Sequence, residues 1–378
     1  MKTLVFLSMV IAPLTLMGQT IQVSLFDNAN SRAYTVSVQQ GRYLLVCNGE
    51  KYGEYKKGSI FYVSQRGDMV EIRDKNSLIG VFPEVSVMHH DKQCVLTVKG
   101  INPETLSQLY DDALVFKVAD NKLRAINHID LEKYIAGVIE AEGGIDAPLE
   151  YYKAQAVLVR TYTIKNIYKH AEEGFNLCDQ VHCQAYKGKS MRNPQIYEAT
   201  RYTAGQVLVD TDQVLAMAPF HSSCGGQTSQ AGIYWQSDLP YLRPVNDPFC
   251  LSLRNANWEQ RIPLSEWKLF LSASGVTKPE NYLNYQSAGR EQFFINGKQK
   301  LTFRQIREKF GLKSSYFSIE QQGGEIVFKG KGFGHGIGMC QLGAMEMARV
   351  GYTYIDILHF YFHPVELRDY REMELHRY

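Results

Sequence analysis

The sequence predicts an α+β fold, a helical central core preceded by a β-rich segment. Three observations carry this. From Ile21 to about Gly100, short apolar runs alternate with polar and turn residues. Between Asp130 and Gly174, two longer stretches repeat their apolar residues at helical spacing. Strand-like pieces and two short helical patterns then share the C-terminal half. The chain has 378 residues and is 45% apolar, with 24 Tyr and 18 Phe, enough for one large or two ordinary domains with real cores. Its formal charge of +2 gives no drive toward nucleic acid.

Residues 1–18 stand apart from the fold. Lys2, the apolar run from Leu4 to Met17 and then Gly18-Gln19 look like a secretory signal peptide. Pro13 interrupts the run, which is short for a membrane span; an uncleaved anchor is the rival reading. No Cys follows it, which argues against a lipoprotein. Export would bring the mature chain to an oxidising compartment. The chain carries seven cysteines, an odd number, so at least one thiol is free, metal-bound or intermolecular.

Residues 19–100 read as a β-domain. "IQVSL", "AYTVSV", "RYLLVC", "SIFYVS" and "MVEIRD" are separated by turn residues, and none carries visible chemistry. A boundary near "KGINPETLSQ" leaves 101–378 as the second domain.

The first helix of that domain is "DLEKYIAGVIEAEGG". Leu131, Tyr134, Ile135, Val138 and Ile139 form one apolar stripe. Asp130 suits the cap, and Gly143-Gly144 suits the stop. At about 100° per residue, Glu142 falls within roughly 20° of Leu131, inside the stripe. Glu140 falls on the opposite side. A carboxylate turned inward at the negative end of a helix has its charged form disfavoured, which suits a general acid. The competing reading is a structural glutamate paired with Lys153 or Arg160, which share one face of the next helix. That helix follows Pro148, keeps its period through Ala154, Val157, Leu158, Thr161, Ile164 and Tyr168, and closes at Gly174. About 23 residues long, it is expected at the centre. Strand-like "GQVLVD", "VLAMAPFHS", "EQFFING" and "EIVFKG" and the helical patterns "CQLGAMEMARVG" and "YIDILHFYF" complete the chain.

Three further segments carry chemistry. In "PFHSSCGGQTS", polar groups including His221 and Ser222 surround a flexible Gly225-Gly226, so the loop is either a donor platform or a plain turn. A His221/Cys224 nucleophile pair lacks any orienting third group. In "GKGFGHGIGMCQLGA", glycines alternate from 330 to 338, so an extended chain has one bare face and one face carrying Phe333, His335 and Ile337. No Lys-Ser/Thr follows, so this is not a phosphate loop. In "HAEEGFNLCDQVHCQAYKG", His170, Cys178, His182 and Cys183 make a two-His, two-Cys set suited to one structural zinc. A Cys178–Cys183 disulfide is the rival reading, and Cys224–Cys250 is a second candidate bridge.

With these residues on the page, the chain resembles the stage II sporulation protein D family, which includes the amidase-enhancer (LytB) proteins. The run "NHIDLEKYIAGVIEAE…YYKAQAVLVRTYT" carries the likeness. "CQAYKG", "ATRYTAGQVL", "FHSSCGGQTS", "YLRPVNDPFC", "LTFRQIREKFGLKSSYF" and "GFGHGIGMCQLGAMEMARVGYTYIDIL" follow in order, over roughly residues 100 to 365. The resemblance implies a bacterial peptidoglycan lytic transglycosylase with a catalytic groove, in the periplasm or cell envelope. Its substrate would be the glycan between N-acetylmuramic acid and N-acetylglucosamine, on strands stripped of peptide. It implies Glu142 as the catalytic acid, with Gln155, Arg160, His221, Ser222, His335 and Gln341 lining the groove. Some members hold zinc after the long central helix, a set that His170, Cys178, His182 and Cys183 match approximately. A cell-wall amidase is the implied partner. The chain departs from the family where Gly143-Gly144 follows the acid and where Cys224 and Cys340 stand at common Ser positions. A non-catalytic, wall-binding enhancer of an amidase is the alternative from a different class. A zinc hydrolase is disfavoured by thiol ligands and the lack of a neighbouring acid.

Overall fold

The computed structural model describes residues 19–234, 239–251 and 256–374. The signal-peptide stretch 1–18 lies outside them. The described residues form a mixed helix and strand structure, the α+β class.

The β-rich unit is built from two sheets. One has seven strands in the spatial order Leu177–Cys178, Thr20–Leu25, Lys122–Asp130, Ala113–Ala119, Glu84–His89, Arg42–Cys47 and Glu50–Lys56. The other has six, in the order Gln108–Asp111, Val95–Gly100, Ala33–Gln40, Ile60–Arg66, Met69–Arg73 and Leu78–Phe82. Period-two patterning explains the layer. Tyr34, Val36 and Val38 from one sheet and Tyr43, Leu45 and Cys47 from the other are all buried in one shared core. The strands continue past residue 100. Lys122–Asp130 pairs antiparallel with Thr20–Leu25 from Thr20↔Asp130 to Leu25↔Ala125. The β-rich unit therefore runs to Asp130 and passes directly into the first helix.

That helix, α1 (Leu131–Gly143), starts where the sequence places it. The Asp130 carboxylate accepts from the Glu132 and Lys133 amides at 3.0 and 3.2 Å. Gly144, at φ 75°, ends it. Helix α2 (Leu149–Lys165) is central as expected, with every residue from Tyr151 to Thr161 buried. It has 17 residues, shorter than the periodicity suggests. The Asn166 side chain takes the Tyr162 carbonyl and Asn176 takes the Ile167 carbonyl, both at 2.8 Å. These bonds end the helix and turn the chain back toward the sheet at Leu177–Cys178.

The remaining helices are α3 (Pro194–Tyr202), α4 (Pro248–Leu251), α5 (Leu264–Ala273), α6 (Phe303–Phe310), α7 (Gln341–Arg349) and α8 (Tyr354–Tyr361). Helices α1, α3, α7 and α8 pack around α2. A separate small unit spans residues 257–331. It has its own core, centred on Trp267 with Trp258, Leu271, Ile306, Phe317 and Phe328. The expected strands appear at Gln206–Val209, Phe293–Asn296 and Glu325–Lys331, but "VLAMAPFHS" is extended as a strand only at Phe220–His221.

Candidate functional site

Glu142 lies in the last turn of α1. The side chain is half-buried, not enclosed as the helical wheel suggests. Its Oε1 accepts from the Ala185 amide at 2.9 Å. Neither cation that threatened to pair with it does so. Lys153 binds Glu150 at 2.6 Å and lies over the Tyr202 ring. The Arg160 Nε donates to Glu132 Oε1 at 2.9 Å. Among the described residues Glu142 has no ion pair. Glu140, expected to point into solvent, instead gathers the Ser190 hydroxyl and the Met191 and Arg192 amides, each at 2.9 Å. Burial opposes ionisation of Glu140, but these hydrogen bonds outweigh it and hold the carboxyl below its usual range.

The Ala185 donor belongs to a loop that approaches α1 closely. A Cβ on Gly137 would stand 2.3 Å from the Gly188 carbonyl oxygen and 2.6 Å from the Tyr186 ring, so only glycine admits the loop there. Gln184 anchors it further, its Oε1 accepting from the Thr163 hydroxyl at 3.0 Å. Two residues before Ala185 stands Cys183. Its Sγ lies 3.4 Å from His170 Nε2 and 3.8 Å from His182 Nδ1, and Cys178 Sγ lies 3.9 Å from that same Nδ1. One donor atom from each of His170, Cys178, His182 and Cys183 falls within 4.8 Å of all the others. Behind His170, the Glu173 carboxylate meets Nδ1 at 2.6 Å, an arrangement that orients a ligating imidazole. This donor set fits zinc, and a disulfide alone would not require the two imidazoles to converge. The adjacent His182-Cys183 pair, awkward on paper, directs both side chains inward.

A second, histidine-bearing wall is made by the glycine-rich segment. It is not an extended strand with one bare face. Gly332, Gly334, Gly336 and Gly338 have φ of 77, 104, 85 and 68°, a region closed to most side chains. A Cβ on Gly338 would meet the Pro219 carbonyl oxygen at 2.2 Å. The alternation thus records left-handed backbone and close chain approach. Phe220–His221 pairs in parallel with Met339–Cys340, and isolated bridges join Ser223 to Phe333 and Ser229 to Ile337.

This weave brings His221 and His335 together, with ring centroids 5.5 Å apart. The Ile337 amide donates to His335 Nδ1 at 3.0 Å, so the neutral ring carries its proton on Nε2. His221 Nδ1 faces the Ile337 carbonyl at 3.1 Å, so it donates, and the unprotonated Nε2 is buried without a partner. Burial first, then the Arg307 and Arg290 charges, hold His335 down at about 4; burial and His335 push His221 well below its ordinary value. The pair is therefore neutral, and a hydrogen bond to the Phe220 backbone also holds the His335 ring.

Gln341 begins α7 and joins the walls, its Nε2 donating to the Glu142 carbonyl at 3.1 Å. Ser222 is half-buried, and its carbonyl accepts from the Leu342 amide at 3.1 Å. Glu142, Gln341, His221, Ser222 and His335 thus belong to one contiguous region. Arg160 does not join it. Fully buried, it binds Glu132 and the Thr200 and Gln206 carbonyls, an anchor between α1, α2 and α3 rather than a groove lining. Gln155 is also fully buried, with neither amide atom partnered. Sequence reasoning missed the Ala185 amide, a backbone group no residue type reveals. It also missed Arg290, which pins the loop through the Cys224 and Gln227 carbonyls, each at 2.7 Å.

The comparisons agree with this architecture. The family model for the stage II sporulation protein matches residues 119–209, from the last strands of the sandwich through α1, α2 and the His/Cys loop. The chain is 30% identical to stage II sporulation protein D of Bacillus amyloliquefaciens over 74% of its own length and 85% of the relative's. It is 31% identical to the Bacillus subtilis protein of that name, over 70% and 81% of the two chains. An amidase enhancer of B. subtilis is 27% identical over 62% of this chain and 40% of its own. The protein belongs to the stage II sporulation protein D/amidase-enhancer family.

Proposed function

We propose that this protein is a peptidoglycan lytic transglycosylase, exported by residues 1–18 and acting in the bacterial cell envelope. Family membership supports the cell-wall role. One observation carries the finer reading: among the described acids from Glu132 to Glu150, Glu142 alone is half-buried and free of an ion pair. Glu140 is tied to the 190–192 loop, Glu150 to Lys153 and the Tyr354 amide, and Asp146 is exposed at the turn. A glycoside hydrolase ordinarily needs two carboxyl groups. A transglycosylase needs one.

Protonated Glu142 gives its proton to the oxygen bridging N-acetylmuramic acid and N-acetylglucosamine. The bond from that oxygen to muramyl C1 breaks, and the N-acetylglucosamine leaves with a hydroxyl. The muramyl 6-hydroxyl then bonds to C1 while Glu142 takes back the hydroxyl proton. The products are a 1,6-anhydro end and a new glycan end, with no water consumed. Of the two histidines, His335 is the half-buried ring that a sugar can reach, and buried His221 packs behind it. Phe333, 51% exposed beside them, offers an apolar face to a sugar ring. Zinc at His170, Cys178, His182 and Cys183 would be structural, since four protein ligands leave no open position. These ligands position the Ala185 amide on Glu142.

A second reading rests on the likeness to an amidase enhancer: a groove that binds glycan and serves a cell-wall amidase without cutting. Digestion of intact and amidase-stripped glycan strands by the parent and Glu142→Gln proteins, read by mass spectrometry, separates the two. Anhydro-muramyl ends that vanish with Gln support the transglycosylase. Reducing muramyl ends would require a hydrolase with another catalytic group. Binding without cleavage, unchanged in Glu142→Gln, would leave the enhancer.

A further inference from the structure

A second cluster of soft ligands lies behind the histidine wall. Cys224, Asp247, Cys250 and Cys340 are all fully buried, and one donor atom from each falls within 4.8 Å of the others. They come from three separate segments: the loop after His221, helix α4 with the residue before it, and the N-cap of α7.

We propose that these four residues bind a second zinc ion, as a closed three-thiolate, one-carboxylate site that clamps the histidine wall of the groove.

The geometry needs little adjustment. At Zn–S of about 2.3 Å, a tetrahedral site sets its sulfurs about 3.8 Å apart, so closure requires movements of about 1 Å. Hydrogen-bond donors also converge on the ligand atoms. The Cys224 amide donates to Cys340 Sγ at 3.2 Å, and the Gly343 amide donates to the same sulfur at 3.4 Å. The Gly226 amide donates to Cys224 Sγ at 3.4 Å. Ser223 Oγ lies 3.2 Å from Cys250 Sγ and can donate there. The Cys250 amide and the Tyr361 hydroxyl donate to the two Asp247 oxygens at 3.1 and 2.8 Å. Cys340 caps α7, whose dipole works against the burial that raises this thiol well above its ordinary value. Without a metal, the Cys224 thiol donates to Asp247 Oδ2 at 3.1 Å, a bond that a shared cation replaces.

Charge and space agree. Three thiolates and one carboxylate carry four negative charges. Zinc neutralises two, and buried Arg290, bonded to the Cys224 carbonyl, offsets a third. The space is kept open by a glycine: a Cβ on Gly343 would stand 2.2 Å from Asp247 Oδ2 and 2.3 Å from the Tyr361 oxygen. Four protein ligands leave no vacancy for substrate, so the ion would be structural. It would tie His221-Ser222 to the start of α7, where Gln341 reaches Glu142. This proposal does not depend on cleavage activity.

The test is zinc content by elemental mass spectrometry on the full mature chain, for the parent, Cys224→Ser/Cys340→Ser and Asp247→Asn. The double variant should hold one zinc equivalent per chain fewer than the parent. Asp247→Asn, the milder change, should lose zinc to a competing chelator 10–100-fold more readily, the range for weakened ligand shells. If the double variant does not fold, Asp247→Asn and the parent's thiol state carry the test. Alkylation of the denatured, unreduced parent should modify Cys224, Cys250 and Cys340 alike. Unchanged zinc in the variants, or a disulfide among the three cysteines in the parent, would overturn the proposal.

Discussion

The two walls of the proposed groove are built differently. Behind the Glu142 wall, His170, Cys178, His182 and Cys183 lie within one local stretch, and exposed His182 brings that cluster to the surface. Behind the histidine wall, Cys224, Asp247, Cys250 and Cys340 come from distant parts of the chain and are sealed. The first cluster lies next to Ala185, whose amide donates to Glu142. The second joins the His221-Ser222 loop and the start of α7 to helix α4. The proposed acid sits on a wall set by a helix and one loop, whereas the histidine wall is woven from short bridges and left-handed glycines.

The largest effect should separate the walls outright. Glu142→Gln should lower glycan cleavage by about 10²–10⁴-fold, the range for a lost general acid/base, with glycan affinity retained. His221→Ala should weaken binding more than it slows the chemical step, measured as KM against kcat on stripped glycan. If both variants lost kcat equally, the division between a chemical and a positioning wall would be wrong.

Next comes stability. Arg160→Ala leaves Glu132 half-buried without its partner and strands the Thr200 and Gln206 carbonyls. Breaking a buried pair costs about 3–5 kcal/mol. Denaturant unfolding should show that loss, with little change in KM for the surviving fold. A KM rise without destabilisation would return Arg160 to the groove.

A smaller effect tests the link between metal and acid. His170→Ala/Cys183→Ser should remove one zinc equivalent and lower kcat about 10–100-fold, because a displaced Ala185 amide no longer fixes Glu142. Zinc loss with unchanged kcat would uncouple the first cluster from the carboxylate.

Legibility followed the same division. The strand alternation, the Asp130 cap, the Gly144 stop and the His/Cys set depend on neighbours within a few residues, and sequence spacing reads them directly. The helical wheel overstated the burial of Glu142, because it does not know that the last turn of α1 is only partly covered by the 184–188 loop. It misjudged Glu140, whose partners Ser190–Arg192 lie some fifty residues away. Periodicity continued α2 past Lys165 because Tyr168 keeps the spacing, although Asn166 and Asn176 divert the carbonyls. Alternating glycines fit an extended strand and alternating positive φ equally well on paper. The small core around Trp267 and the gathering of Asp247 and Cys250 with Cys224 and Cys340 depend on tertiary contacts alone.

The smallest effect concerns acid. His221 and His335 are held neutral in the folded protein, His335 at about 4 against 6.5 when free. Their folded values are depressed, so the unfolded chain takes up protons first as pH falls. The stability they contribute is fully present above about 6.5 and is lost as the pH drops toward about 4. Thermal unfolding should therefore show a midpoint falling by several degrees between pH 6.5 and 4.5. In His335→Gln that decline should flatten, since a neutral amide cannot titrate. The control lies away from both walls: His89→Gln removes an exposed ring and should leave most of the slope. An equal flattening in both variants would place the acid sensitivity in the general loss of ion pairs, and the histidine wall would lose its distinguishing signature.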